Sequence, residues 1–175
     1  SMFDCFFYVN MDDYQKFNEL LAASYFAKCT QDRPCPKGEC PKTPGGCPCN
    51  QPGGDPGLPT GYAVQCILRV EDLDMWNRYK QRRDEIEEAR KEETIHAIEP
   101  AALTAKIADT YPGCFEPLNE KINEVYLWHG TSVRAALSIA QSDFRIDMAG
   151  SSTGTMYGKG AYCAESCTKA DEYAQ

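Results

Sequence analysis

No stretch of the chain reaches the roughly 18 consecutive apolar residues of a membrane-spanning helix, so no membrane span is expected. The N-terminal SMFDCFFYVN has neither the basic start nor the apolar centre of a secretory signal, and Ser1-Met2 reads as the remainder of a removed tag. Positive charge is short as well. Lys and Arg number 18 against 26 Asp and Glu, a formal net charge of −8, which argues against direct nucleic-acid binding by this segment. The glycines match neither a GxGxxG fingerprint nor a Walker loop, so a nucleotide held on either of those helix termini is excluded. Histidine is scarce, with His96 and His129 the two present, and His96 has no neighbours at metal-ligand spacing.

Cysteine is not scarce, at ten residues. Five of them, Cys29, Cys35, Cys40, Cys47 and Cys49, crowd in or beside a Pro/Gly-rich insertion over residues 34–60, whose composition continues neither a helix nor a central strand. Thiolates on such a loop could form a zinc tetrahedron. The spacing contains no CxxC and no nearby histidine, which ranks zinc below reduced thiols on a surface loop, and no metal ligand is assigned. Disulfides would require secretion, which nothing here supports. The expected setting is intracellular, nuclear or cytoplasmic.

The length and the 42% hydrophobic content suit one soluble domain. Residues 1–11 read as a tail and 12–175 as the domain. Asp12 or Asp13 is placed to cap a helix with Tyr14, Phe17, Leu21 and Tyr25 on one face. Tyr62–Val70 alternates like a strand. Glu71-Asp72 then caps a second helix with Leu73, Trp76, Tyr79, Arg83 and Ile86 at helical spacing and a mixed-charge outer face. Glu99–Tyr111 has the pattern of a third helix, with Pro100 in its first turn.

The most informative stretch runs from Asn123 to Tyr173. An apolar run, Val125-Tyr126-Leu127-Trp128, ends at His129-Gly130-Thr131. A helix with Val133, Ala136, Leu137 and Ala140 on its apolar face follows, then a Gly/Ser-rich loop, Tyr157-Gly158-Lys159-Gly160-Ala161-Tyr162, and a helix start that carries Tyr173. A glycine directly after a strand leaves its peptide bare, and a bare peptide offers one donor and one acceptor side by side, as a carboxamide requires. Two tyrosines could close on the faces of an aromatic ring, each contributing roughly 0.5–1.5 kcal/mol beyond area burial. A histidine suits a ribose hydroxyl. Taken singly, His129 reads as a satisfied structural residue, YGKG as a turn and the tyrosines as core or surface; the combination favours a cleft for a flat polar ligand.

LWHGTS, followed by TMYGKGAYCAESCTKADEY, closely resembles the catalytic domain of the poly(ADP-ribose) polymerase family of ADP-ribosyltransferases. The Thr30-Gln31-Asp32-Arg33 segment and RVEDLDMWNRYKQRRDEI carry weaker likenesses to the same domain. The resemblance implies an α+β fold with two packed, split antiparallel sheets surrounded by helices. It implies NAD as co-substrate, a protein acceptor or a nucleic-acid one, and release of nicotinamide. His129 would bind the adenosine ribose and Tyr162 would be the triad tyrosine, the two catalytic positions. Gly130 would hold the nicotinamide amide and Tyr173 would stack on its ring, with Thr131, Ser132, Tyr157 and Gly158 also lining the NAD site. The loop from about Ser142 to Met156 would lie over the dinucleotide. Ala170 stands where many members have a serine bonded to the carboxamide, and Cys163 replaces the usual Phe. The family's triad glutamate lies on a later strand, beyond Gln175. The expectation is therefore a domain without its last strands, inactive or nearly so as this chain alone. The other reading is a non-catalytic NAD- or ADP-ribose-binding or interaction module of the same fold.

Overall fold

The computed structural model describes residues 6–28, 30, 32–33, 35–38, 40, 47–51, 53–54, 57–99, 101–105, 107–148 and 157–174. Cys29, Gly150, Gly154 and the second half of the loop expected over the dinucleotide fall outside them. The chain divides into two compact units, one of residues up to Leu20 with Val64–Tyr126, the other of Leu21–Ala63 with Leu127–Gln175.

In the first unit, β1 (Phe6–Tyr8) pairs antiparallel with β2 (Leu68–Val70) in the register Phe6 to Val70, Phe7 to Arg69 and Tyr8 to Leu68. Helix α1 (Met11–Ala23) starts here. Its cap is Asn10 rather than Asp12 or Asp13: the Asn10 side-chain oxygen accepts from the Asp13 N–H at 3.0 Å. The two aspartates fall in the first turn, where the helix dipole favours negative charge. Phe17 meets Phe115 at 5.4 Å, Phe115 meets Tyr126 edge-on at 5.3 Å, and Leu20 is buried. Together with buried Ala102 and Ile107 these form the core of the unit. The expected strand over Tyr62–Val70 is regular only in β2. Ahead of it, the Val64 N–H donates to Asn18 Oδ1 at 2.9 Å and the Ile67 N–H to the Tyr14 hydroxyl at 3.4 Å. Side chains of α1 thus take backbone donors that a ladder would otherwise need.

Helix α2 (Leu73–Ala89) has the expected cap, with Asp72 accepting from the Met75 N–H at 2.8 Å. Trp76 and Tyr79 stack at 5.5 Å, and Glu87 is bound by Asn119 at 2.6 Å and by Lys121 at 3.2 Å. The helix expected over Glu99–Tyr111 shrinks to α3 (Ile107–Thr110). Before it, buried Thr104 donates its hydroxyl to the Tyr126 carbonyl, a side-chain bond that competes with helix formation.

The second unit holds the end of α1, α4 (Val133–Ser142), α5 (Cys167–Asp171) and one isolated antiparallel bridge, Trp128 to Ala164. Tyr25 lies past the end of α1, and its hydroxyl donates to the Pro59 carbonyl at 2.8 Å. The apolar face expected of α4 is not buried; Val133 is 77% exposed. The expected Val125–Trp128 strand survives as the Trp128 bridge alone. Among the described residues the architecture is mixed helix and antiparallel strand, with β1–β2 its regular sheet.

Candidate active site

The bridge sets the frame. Trp128 and Ala164 exchange both backbone hydrogen bonds at 2.8 Å, and the Trp128 indole N–H donates to the Ser24 hydroxyl at 2.9 Å. The next residue, His129, is exposed on that frame. Its Nδ1 lies 2.9 Å from the Tyr162 carbonyl oxygen. A carbonyl only accepts, so Nδ1 is the donor in this bond and Nε2 is turned away from it. Phe144 stands edge-on to the imidazole at 5.0 Å and limits its tilt.

Tyr162 folds back on its own turn. Its hydroxyl accepts from the Tyr157 N–H at 2.9 Å and donates to the Gly158 carbonyl at 2.7 Å. Gly158 has φ +98°, a backbone state that glycine adopts freely. The YGKG segment is thus a turn stapled by the tyrosine that follows it, and Tyr157 projects 85% exposed. Thr131 is half-buried, and Ser132 caps α4 by accepting from the Ala135 N–H at 3.3 Å.

Gly130 meets α5. A Cβ built on it would lie 1.7 Å from the Ala170 carbonyl oxygen and 2.5 Å from its carbon, so no side chain fits. The same oxygen accepts from the Tyr173 N–H at 3.0 Å. The strand end, the helix and the stacking candidate are therefore joined through one carbonyl group.

Beneath Tyr173 lies a charged network that sequence reasoning passed over. Glu172, with its side chain fully buried, accepts from the Thr30 hydroxyl at 2.6 Å, from the Thr30 N–H at 3.2 Å and from Lys169 at 2.7 Å. Lys169 also reaches Asp32 at 2.8 Å, and its ammonium sits 5.0 Å from the centre of the Tyr173 ring. The Tyr173 hydroxyl donates to Asp32 at 3.0 Å. Arg33, 8% exposed, donates to the Thr168 carbonyl at 3.0 Å and to Asp171 at 3.1 Å. The Lys169 contact holds the Asp32 carboxyl below its usual range. Burial alone would lower Lys169, but its bonds to Asp32 and Glu172 outweigh that and raise it. Burial, then the bond to Asp32, pushes the Tyr173 phenol up. The signal for this network was present as Thr30-x-Asp32-Arg33 and Lys169-x-x-Glu172, but a separation of about 140 residues hid their pairing.

The family model described as "Poly(ADP-ribose) polymerase catalytic domain" matches residues 55–175. The chain belongs to this family. Every residue singled out over Asn123–Tyr173 lies in the matched span, whereas Thr30, Asp32, Arg33 and the cysteines up to Cys49 lie ahead of it. A curated relative, the "Poly [ADP-ribose] polymerase tankyrase" of Caenorhabditis elegans, is 32% identical over 117 residues, covering 65% of this chain and 5% of that protein. Family membership brings transferase chemistry and NAD into consideration for the frame that links His129, Gly130, Tyr162 and Tyr173. Among the described residues, no helix is long and apolar enough to cross a membrane.

Proposed function

We propose that the second unit binds NAD and that the protein transfers ADP-ribose from it to a protein acceptor, with a nucleic-acid acceptor the less favoured choice given the net charge of −8. The observation that carries this reading is the linked frame: His129 bonded to Tyr162, and Gly130 in contact with the Ala170 carbonyl that also holds Tyr173. In this reading the Tyr173 ring stacks on nicotinamide, the peptide at Gly130 meets the carboxamide, and His129 Nε2 accepts from an adenosine ribose hydroxyl. Tyr162 positions the Tyr157–Gly158 turn against the substrate, since its hydroxyl is already engaged there. Thr131 and Ser132 border the site at the start of α4. The split-sheet fold of the family is the architecture proposed for the domain around it.

In the reaction, the bond between the ribose C1′ and the nicotinamide nitrogen breaks, and its electron pair leaves with nicotinamide. An acceptor nucleophile bonds to C1′ and gives up a proton. Fixing the ring and the ribose while charge develops at C1′ is work of orientation and electrostatics.

One observation favours the non-catalytic module instead. Ala170, 8% exposed, carries a methyl where the family resemblance implies a serine that bonds the carboxamide. Incubation of the protein with NAD labelled in its adenylate part separates the two. The enzyme reading predicts covalent label on protein together with free nicotinamide when the polypeptide includes the family's triad glutamate, and little of either from residues 1–175 alone. Reversible uptake with neither product by the polypeptide that includes that glutamate would leave the module.

A further inference from the structure

The insertion ranked above as a loop of free thiols brings four of them together. The Sγ atoms of Cys35, Cys40, Cys47 and Cys49 all lie within 4.8 Å of one another, and those of Cys40 and Cys49 are 3.5 Å apart. A tetrahedral zinc with bonds of about 2.3 Å sets its sulfurs about 3.8 Å from each other. A disulfide would draw one pair to about 2.05 Å and has no need of the other two. Here the four sulfurs share one centre and are free rather than paired.

The backbone shapes this grouping. The Gly38 N–H donates to the Cys35 carbonyl at 3.1 Å, and Gly38 has φ +68°, which folds the Cys35–Gly38 turn back toward Cys40. Pro48–Asn50 forms a 3₁₀ turn that brings Cys47 and Cys49 to the same place without a CxxC pair. A Cβ on Gly54 would fall 2.5 Å from the Cys49 carbonyl oxygen, so the chain leaving the turn packs tightly against it. Cys49 is buried in a segment otherwise too rich in Pro and Gly to supply an apolar core.

We infer that Cys35, Cys40, Cys47 and Cys49 form a structural zinc site that closes the insertion. The donor set is all sulfur, which suits a soft or borderline divalent ion and leaves no position for a catalytic water. Binding replaces four S–H bonds by four Zn–S bonds and releases the protons to solvent. The site begins two residues after Arg33, whose guanidinium is bonded to Thr168 and Asp171 of α5. The ion would therefore anchor the insertion close to the segment that holds that helix. These ligands all lie ahead of the residues matched by the family model, so the site is a property of this chain's insertion.

Metal analysis of the 175-residue chain, purified with reductant and without added metal, is the test. The expected result is one zinc per chain. Replacement by Co²⁺ is expected to produce the intense visible absorption of a tetrahedral thiolate site, a readout that does not depend on any variant folding. Cys40→Ser and Cys49→Ser should each lose zinc at least tenfold relative to the parent, and Cys66→Ser should retain it. Removal of zinc should open tryptic cleavage after Lys37. A metal-free chain whose four thiols react freely in the native state would overturn the proposal. So would a mass showing paired disulfides, or stoichiometric iron in place of zinc.

Discussion

Gly130 and Ala170 touch backbone to backbone: the space where Gly130 would carry a side chain is occupied by the carbonyl group of Ala170. The bare peptide read from the sequence as room for a ligand gives room to α5, and holding a carboxamide there is the further role proposed for it. Gly130→Ala should push the helix away, at a cost of about 1–3 kcal/mol typical of overpacking, or more because backbone rather than a flexible side chain must yield. A lowered urea midpoint checks this. Weaker NAD binding by the same variant would follow from displaced Tyr173 and would not by itself report on the peptide.

At Ala170 itself, Ala170→Ser should tighten NAD binding by about 0.5–1.5 kcal/mol if its hydroxyl reaches the carboxamide. Titration calorimetry against the parent chain measures the difference.

Among the described residues of the second unit, Glu172 is the most deeply buried charge. Glu172→Leu should destabilise by on the order of 3 kcal/mol, because Thr30 and Lys169 lose their acceptor while Arg33 stays buried beside them. Glu172→Gln keeps an acceptor for Thr30 and should cost less. Urea unfolding of the two variants gives the ordering.

The same network predicts a pH profile. Asp32 is held below its usual carboxyl range, so its contribution is complete above the ordinary value of about 3.9 and is lost as pH falls through its lowered value. Lys169 and the Tyr173 phenol are raised, so their contributions are complete below their ordinary values of about 10.4 and 10 and are lost as pH rises through the raised ones. The urea midpoint should therefore fall at acid pH, and Asp32→Asn should flatten that fall.

Tyr162→Phe removes the hydroxyl that spans Tyr157 and Gly158. The turn is exposed, so the unfolding midpoint should shift little, while NAD affinity should drop as the turn loosens. An unchanged affinity would separate the turn from the ligand.

What could be read in advance follows the range of the forces involved. Caps and helical periodicity are local, and Asp72 with α2 stands where its sequence placed it. The strands were overread at Tyr62–Ile67 and Val125–Leu127, because a strand exists only where a second backbone completes its ladder. His129, Gly130, Tyr162 and Tyr173 were singled out together from their spacing and the family resemblance, and the structure links them in one frame. The bonds of Glu172 and Arg33 to partners about 140 residues away were not, since no local pattern announces a distant ion pair. The convergence of four thiols was not legible either: their spacing contains no CxxC, and the turns at Gly38 and Pro48 bring them together.

Titration calorimetry of NAD into this chain and into its Tyr173→Ala variant tests the central claim most directly. Loss of the stacked ring removes its buried area and the roughly 0.5–1.5 kcal/mol of ring stacking, so affinity should fall by about tenfold or more. Equal affinity in the two proteins, or no uptake by the parent chain, would contradict the account.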